Sequence, residues 1–527
     1  MPNQAATSTY RWLDYLVWTV ALWASFLNLL NFNHYPLFRA EVGLTLLALG
    51  LLGTLMGMVQ HVARPRLSFL FTALFAALMV DLNTSIELSW FYALLVAFAV
   101  VGFFAQDALL KVTLAAFTAV LLFQFLALAT GIGDPVRDEN KAQNLQTENR
   151  AGATRPAIVH LVLDSYLGLE GMALGPDEYR KLRAEHVAFF TERGFQLYPR
   201  AYSRHASTMR SLPYLFSYGS IPTAVHVASA RYAVPEQLPY FSDIDSRGYR
   251  ISAVLPAYVD LCVKQKLTSC RNFESSALRS MLGTEMGVFD RSKVFGFTLL
   301  QLTSLPSEVA LEIQSRANDL FGINGRLPFN RSELYPLASI EQMDRFTREL
   351  ADLRPGEARF AHLLLPHDPY ILKADCSAKP ETAWLDEHGP GSEAARELAY
   401  ADQVRCLQRR IARMLDMLDR TKAGREAIVL IHGDHGSRIA PAQPSASGQE
   451  LSQRQMLMTY STFFAIRIPG AEGGEVPGTH SLDELMADFR TRDFASAPRP
   501  KDAPAEVLVK GESRNSRERQ PPLSFEP

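Results

Sequence analysis

AIVLIHGDHGSR, residues 427–438, sets an unbroken apolar run against a polar cluster. The run has the length and branched side chains of a buried strand. Asp434 and His435 follow it, with His432 just before and Gly433 and Gly436 interleaved. Burying an unpaired carboxylate costs several kcal/mol, so a cluster of this kind at a strand end faces either solvent or a cation.

Working outward, similar apolar runs occur at Ala157–Asp164, Tyr249–Leu255, Phe360–Leu365 and Ser461–Ile468. Between the third of these runs and Ala427 lies a helical pattern: Leu398, Val404, Leu407, Ile411, Met414 and Leu418 recur at three- and four-residue steps with one longer gap. Strands alternating with helices imply an α/β domain with a mostly parallel sheet buried on both faces. In such sheets ligands gather beyond the carboxyl ends of the strands. Three strand ends carry the same kind of residue: Asp164 and Ser165, then His367 and Asp368, then Asp434 and His435. A single strand-end Asp is more often a helix cap than a ligand; three such ends predict convergence on one divalent ion. Mixed Asp/His sets point to Zn or Mn ahead of Mg or Ca.

A group-transfer site also needs a nucleophile. YSRHASTMRSLPYLFSYG, residues 202–219, offers Ser207, Thr208 and Ser211 at the start of a helical segment. The helix dipole and free backbone N–H groups favour an anion there, and a divalent ion would activate a coordinated hydroxyl. Helix capping explains the same hydroxyls equally well. Arg204, Arg210 and His205 flank them as candidate contacts for anionic oxygens, and His432 could reach the site from its strand. His160 and His362, inside strands, read as packed core residues.

The first 130 residues differ in kind. Five apolar runs, Trp12–Leu30, Val42–Val59, Leu67–Val80, Ser89–Phe104 and Ala108–Ala129, approach or reach the roughly 20 residues that cross a bilayer. Arg11, Arg64, Arg66 and Lys111 place the N-terminus and the even-numbered loops inside, with Arg39 as the exception. An odd number of spans delivers the rest of the chain outside. All four cysteines lie in that outer part; sequence alone allows three pairings, of which proximity favours Cys262 with Cys270 and hence Cys376 with Cys406, and a zinc site is the competing reading although no Cys-x-x-Cys spacing exists. Balanced charge, 53 basic against 55 acidic residues, excludes a nucleic-acid surface. The organisation read from these patterns is a transmembrane domain over 1–130, a polar linker over 131–156, a catalytic domain over 157–491 and a disordered Pro-rich, charged tail over 492–527.

Taken in order, LVLDSYLG, STMRSLP, LLLPHDPY, IHGDHGSR and STFFAIRIPG resemble the sulfatase-like hydrolases and transferases of the alkaline-phosphatase superfamily, from about Ala157 to Gly470. The spans followed by an outer domain look like its membrane branch, which includes phosphoethanolamine transferases and lipoteichoic acid synthases. The resemblance implies that Asp164, Thr208, Asp434 and His435 hold one metal ion, that Thr208 is the nucleophile, and that His367 holds the transferred group or protonates the leaving oxygen. It implies a phospholipid donor, an envelope glycan or glycolipid acceptor, and a multi-pass protein of the inner or plasma membrane facing the periplasm or exterior. Two departures stand out. Ser211-Leu212-Pro213 begins the formylglycine-sulfatase pattern, but Leu215 replaces its Arg. Ala446, Ser447 and Gly448 occupy the region where zinc-rich transferases carry a further His. The alternative is a sulfatase-like hydrolase, a phosphodiesterase or sulfuric ester hydrolase, acting on surface polymers.

Overall fold

The computed structural model describes residues 11–33, 35–63, 67–84, 88–130, 155–220, 225–229, 232–235, 237–259, 261–262, 264–273, 278–283, 286–301, 316, 334–380, 383–386, 391–437, 439 and 452–507. The chain divides into two units, one of 1–149 with 286–330 and one of 150–285 with 331–527. A segment inside the 157–491 range therefore groups with the N-terminal helices. The expected linker lies outside the described residues as far as 154, as do Arg64, Arg66, residues 446–448 and the part of the expected tail beyond 507.

The first unit contains α1 (Arg11–Phe32), α2 (Ala40–Val62), α3 (Ser68–Thr84) and α4 (Leu88–Thr130). Three stretches, Tyr15–Phe32, Ala40–Val62 and Ser89–Leu126, are long and apolar enough to cross a membrane, and Ser68–Thr84 is a shorter apolar helix. The fourth and fifth runs read from the sequence both fall within α4, whose helical backbone is interrupted at Ala105 (φ −146°, ψ 48°). Gly53 lets α2 approach the backbone of α1, since a Cβ there would collide with Thr19. Polar side chains inside this unit bond to one another, as apolar surroundings require; the Trp18 indole N–H donates to Gln60 at 2.7 Å.

Glu41, at the start of α2, is the most heavily engaged of these groups. It accepts from the Tyr35 hydroxyl (2.5 Å), from Arg39 Nε (3.1 Å) and from Arg291 Nη1 (3.1 Å). Arg39, the exception in the loop-charge pattern, is thereby paired. Arg291 comes from the helix Val288–Gln301, whose Ser292 hydroxyl donates to the Glu41 carbonyl (3.1 Å) and whose Phe295 ring stands edge-on to Tyr35 at 5.0 Å. Loss of Arg291 leaves Glu41 its bonds to Arg39 and Tyr35 but removes the ion pair that fastens the helix Val288–Gln301 to α2. Arg291→Met is expected to accelerate amide exchange across residues 288–301 in the full chain while leaving exchange in α1 unchanged.

In the second unit the strands are β1 (Ile158–Leu163), β2 (Phe195–Leu197), β3 (Arg200–Tyr202), β4 (Val225–Ser229), β5 (Tyr232–Pro235), β6 (Arg250–Pro256), β7 (Ser269–Phe273), β8 (Glu357–Leu363), β9 (Ile428–Gly433), β10 (Phe464–Arg467), β11 (Gly474–Glu475) and β12 (Thr479–Ser481). Eight form one sheet in the order β11-β2-β10-β9-β1-β8-β6-β7; β12 pairs with β3 and β4 with β5. Only β10 runs antiparallel to its neighbours in the large sheet. β1 and β9 are buried at every position, which is why they read as continuous apolar runs rather than alternating ones.

β1 pairs with β9 through Leu163 opposite Gly433 and with β8 through Leu163 opposite Leu363. In-register parallel strands end together, so the residues after all three emerge at one sheet edge. The expected helix is Glu393–Leu418, capped by the Ser392 hydroxyl and buried along Tyr400, Val404, Leu407, Ile411, Met414 and Leu418. Leu398 of the expected stripe instead faces solvent at 55% exposure. Disulfides join Cys262 to Cys270 and Cys376 to Cys406. The tail read as disordered from 492 is packed as far as Val507: Ala505 and Val507 are buried, and the Tyr198 hydroxyl donates to the Pro498 carbonyl at 2.5 Å. Low apolar content misled there, because the segment lies on a core supplied by other elements.

Candidate active site

Asp164 follows β1 directly and continues its ladder, its N–H donating to the Leu363 carbonyl at 2.9 Å. Ser165 then turns into the left-handed region (φ 63°), a conformation that costs a non-glycine residue about 1–2 kcal/mol. The turn aims the Ser165 N–H at Asp434 Oδ1 (3.1 Å) and its hydroxyl at Asp164 Oδ1 (3.0 Å). Tyr400 fixes it, accepting from Leu167 N–H at 2.8 Å and donating to the Ser165 carbonyl at 2.9 Å.

Asp434 and His435 follow β9. The glycines around them answer a packing demand: a Cβ at Gly433 would strike Thr462 and the Tyr166 carbonyl, and one at Gly436 would strike the Met458 carbonyl. Asp434 Oδ1 also accepts the His435 N–H at 2.9 Å, whereas its buried Oδ2 has no hydrogen-bond partner among the described residues. The His435 Nδ1–H donates to the Gly436 carbonyl at 2.9 Å, which leaves the Nε2 lone pair pointing inward. Nε2 lies 3.5 Å from Asp164 Oδ1, 3.5 Å from Asp434 Oδ2 and 3.3 Å from Thr208 Oγ1.

Thr208 opens the helix Thr208–Phe216, and its hydroxyl donates to Asp164 Oδ2 at 3.0 Å. Ser207 holds the cap position, yet its side chain makes no capping bond. Capping therefore does not account for this row of hydroxyls. Ser211 is buried in the first turns of the same helix, its hydroxyl without a partner among the described residues.

One ligand atom each from Asp164, Asp434 and His435 lies within 4.8 Å of the others, and all three residues are buried. Two carboxylates, an inward imidazole lone pair and an unpartnered carboxylate oxygen form a set that a divalent cation would satisfy. Thr208 supplies a fourth oxygen beside them.

The other expected residues separate. His367 begins the loop after β8, where its ring Nδ1–H donates to the Asp368 carbonyl at 2.7 Å. His205 stands edge-on to Tyr214 at 4.9 Å; burial, helped by the Arg210 and Arg204 charges, pushes its pKa down to about 4. Arg210 is exposed near the helix start and has no ion-pair partner among the described residues. Arg204 is not available as an anion clamp: its guanidinium is held by Asp483 (3.1 Å), Glu484 (3.0 Å) and Glu506 (3.3 Å).

His432 also belongs elsewhere. Its Nδ1–H donates to the Gly433 carbonyl at 2.6 Å and its Nε2 accepts from His160 Nε2–H at 2.8 Å. His160 Nδ1 in turn accepts from the Tyr240 hydroxyl at 2.5 Å. Burial keeps both imidazoles neutral, pushing His432 down to about 4 and His160 well below its usual value. This chain braces the strand beneath Asp434. His362 differs from both: it is fully buried with neither ring nitrogen partnered among the described residues. Burial lowers its pKa, while Asp164 and Asp434 pull it up and His367 pushes it down, so its ring senses all three strand ends.

Sequence reasoning passed over Gln403. Fully buried on the helix Glu393–Leu418, its Oε1 accepts from Ile371 N–H (3.0 Å) and Leu372 N–H (3.2 Å), and its Nε2 donates to the carbonyls of His367 (2.8 Å) and Pro366 (3.2 Å). The Cys376–Cys406 disulfide ties the same loop to the same helix one turn on. A lone Gln in the apolar stripe of a helix was the available signal. Ile371 N–H also reaches the Pro369 carbonyl at 3.0 Å, so Gln403→Leu strips bonds chiefly from the Leu372 N–H and the His367 and Pro366 carbonyls, at about 1–3 kcal/mol per group left unbonded. Amide exchange at Leu372 is expected to accelerate strongly, with exchange in β1 unaffected.

Acid sensitivity follows from His186. Its Nδ1–H donates to the Leu182 carbonyl at 2.9 Å and its Nε2 accepts from the Tyr166 hydroxyl at 2.7 Å. Burial pushes its pKa from 6.5 down to about 4. Between those values the unfolded chain binds a proton that the folded chain refuses, so stability falls as pH drops from 6.5 toward 4. The slope approaches about 1.4 kcal/mol per pH unit for this group. Calorimetric melting of the full chain should show a shallower pH dependence in His186→Gln than in the parent protein across that window.

No family model matches the chain, and no curated protein matches it. Solved structures similar to it include a phosphonate monoester hydrolase of Agrobacterium radiobacter, 12% identical, covering 67% of this chain and 80% of that one with a TM-score of 0.43. A 2-O GAG sulfatase is 13% identical, covering 68% and 79% with a TM-score of 0.39. The C-terminal periplasmic domain of EcEptC from Escherichia coli, solved in complex with Zn, is 12% identical, covering 70% and 94% with a TM-score of 0.40. At these identities and scores the site's chemistry rests on its own residues.

Proposed function

We propose that the chain is a membrane-anchored, metal-dependent enzyme that transfers a phospho-group through a covalent Thr208 intermediate. The observation that carries this reading is the Thr208 hydroxyl, buried at a helix start within 3.0 Å of Asp164 and 3.3 Å of His435, beside an Asp434 oxygen that lacks a partner. Asp164, Thr208, Asp434 and His435 would hold the ion. When bound, it supplies positive charge that lowers the hydroxyl pKa and offsets charge building on the phosphoryl oxygens. Zn or Mn suits the donor set best.

Asp164 Oδ2, already accepting the Thr208 proton, draws it off as Oγ1 attacks phosphorus. A Thr–O–P bond forms, the bond from phosphorus to the diacylglycerol oxygen breaks, and His367 delivers a proton to that leaving oxygen. The acceptor hydroxyl then attacks the same phosphorus and gives its proton to His367, while the Thr–O–P bond breaks and Thr208 takes its proton back from Asp164. Backbone N–H groups at the helix start and Arg210 favour the anionic oxygens. The donor in this reading is a phospholipid such as phosphatidylethanolamine or phosphatidylglycerol, and the acceptor an envelope glycan or glycolipid. Anchoring supports transfer, because it raises the local concentration of a lipid donor.

The anchor crosses the bilayer five times in this reading. Gln106, just past the break in α4, bonds Ser68 (2.9 Å) and Thr72 (2.9 Å) at the start of α3. Gln124 bonds Asn28 (2.7 Å) and Asn31 near the end of α1. α1 and α3 both begin on one side, so residues 106–126 run with them and 88–104 run against them. The N-terminus then stays inside, and the chain leaves α4 on the periplasmic or extracellular side.

Peptide mass spectrometry of protein purified with its native lipids tests the chemistry. A phosphoethanolamine or glycerophosphate adduct on Thr208, absent from Thr208→Ala, is expected. No adduct, in protein that binds one metal ion and cleaves a generic phosphodiester, would establish the hydrolase instead. Asp434→Ala should lose the metal stoichiometrically while retaining the disulfides and the membrane helices.

A further inference from the structure

The helix Val288–Gln301 lies in sequence between β7 and the helix Tyr335–Glu349 of the sheet, yet it packs with the apolar helices. Its buried side is fastened at the α1–α2 corner. Arg291 pairs with Glu41, and Phe295 sits 5.4 Å from Phe26 as well as against Tyr35. Both helices of that corner are long and apolar enough to span a bilayer, so their shared end lies at the depth of the headgroups.

The start of this helix and the corner beside it carry large apolar groups exposed among the described residues. Val288 and Phe289, in the first turn of the helix, are 44% and 64% exposed, and Phe38 in the corner itself is 95% exposed. Lys293 lies over the Phe289 ring at 4.9 Å with its ammonium beside Asp290, an apolar stem under a charged head. Aromatic rings with a neighbouring cation at the end of a membrane span are what the boundary between acyl chains and headgroups accommodates.

We propose that the α1–α2 corner and the helix Val288–Gln301 together form an interfacial element, with Phe38, Val288 and Phe289 immersed in the outer leaflet of the lipid bilayer. The occupant is lipid rather than protein, because the surface is continuous with the exposed apolar flanks of α2, where Leu47, Leu51 and Leu55 are 62%, 67% and 55% exposed. The proposal rests on the membrane-anchored reading and extends it: a segment beyond the spans returns to the bilayer.

All four cysteines are in disulfides, so a single introduced cysteine can be labelled selectively. Nitroxide labels at Phe289→Cys, Phe38→Cys, Leu51→Cys and Lys422→Cys would be compared in the full chain, in nanodiscs of phosphatidylethanolamine and phosphatidylglycerol. Collision rates with oxygen, which concentrates in lipid, and with a polar nickel chelate, which stays in water, give the depth. The expected result is that Phe289→Cys and Phe38→Cys follow Leu51→Cys, with chelate accessibility several-fold below that at Lys422→Cys. Labels at 289 and 38 that match Lys422→Cys, while Leu51→Cys remains lipid-exposed, would overturn the interfacial element alone. Chelate access at Leu51→Cys would overturn the membrane-anchored reading beneath it.

Discussion

Two carboxylates buried within reach of each other organise this protein. Asp164 and Asp434 sit at 1% and 0% exposure, on strands that pair in register. Such a pair is tolerable only where polar hydrogens and a cation answer it. Much of the surrounding architecture supplies that answer. The left-handed turn at Ser165 offers an N–H, Tyr400 holds the turn, and the glycines at 433 and 436 admit neighbouring backbone where any side chain would block it.

Beneath this pair lies a layer of neutral hydrogen bonding with a fixed direction. Tyr240 donates to His160, His160 to His432, and His432 to the Gly433 carbonyl. Three hydrogen bonds with unambiguous proton positions leave β9 little freedom to shift beneath Asp434. The loop after β8 is secured differently, by one amide side chain and a disulfide, because it has no ladder partner of its own. Rigid strands carry the acidic residues, and a tethered loop carries His367.

The sheet and the convergence of its strand ends were legible because both depend on local pattern. Apolar runs that end in Asp or His mark strands buried on both faces, and parallel register then brings those ends together. What escaped notice depends on partners distant in sequence. Arg204 looked like an anion clamp until Asp483, Glu484 and Glu506, some 280 to 300 residues on, were seen to hold it. His432 looked like a site residue because it is two positions from Asp434, but it lies inside the strand, where His160 and the Gly433 carbonyl occupy both of its ring nitrogens. Gln403 looked like an interruption in a helix stripe. The packing of residues 492–507 was hidden for the same reason, since a segment poor in apolar residues can still be ordered by a core built elsewhere.

The excursion of residues 286–330 into the helix unit bears on how the protein can be divided. A fragment that begins after the apolar helices would retain the helix Val288–Gln301 but lose α1 and α2, on which its described contacts lie. Phe295 would lose Tyr35 and Phe26, and Arg291 would lose Glu41. Solubility of such a fragment would then be governed by a helix far from either terminus. Trimming the ends would not restore it; excising the inner segment would.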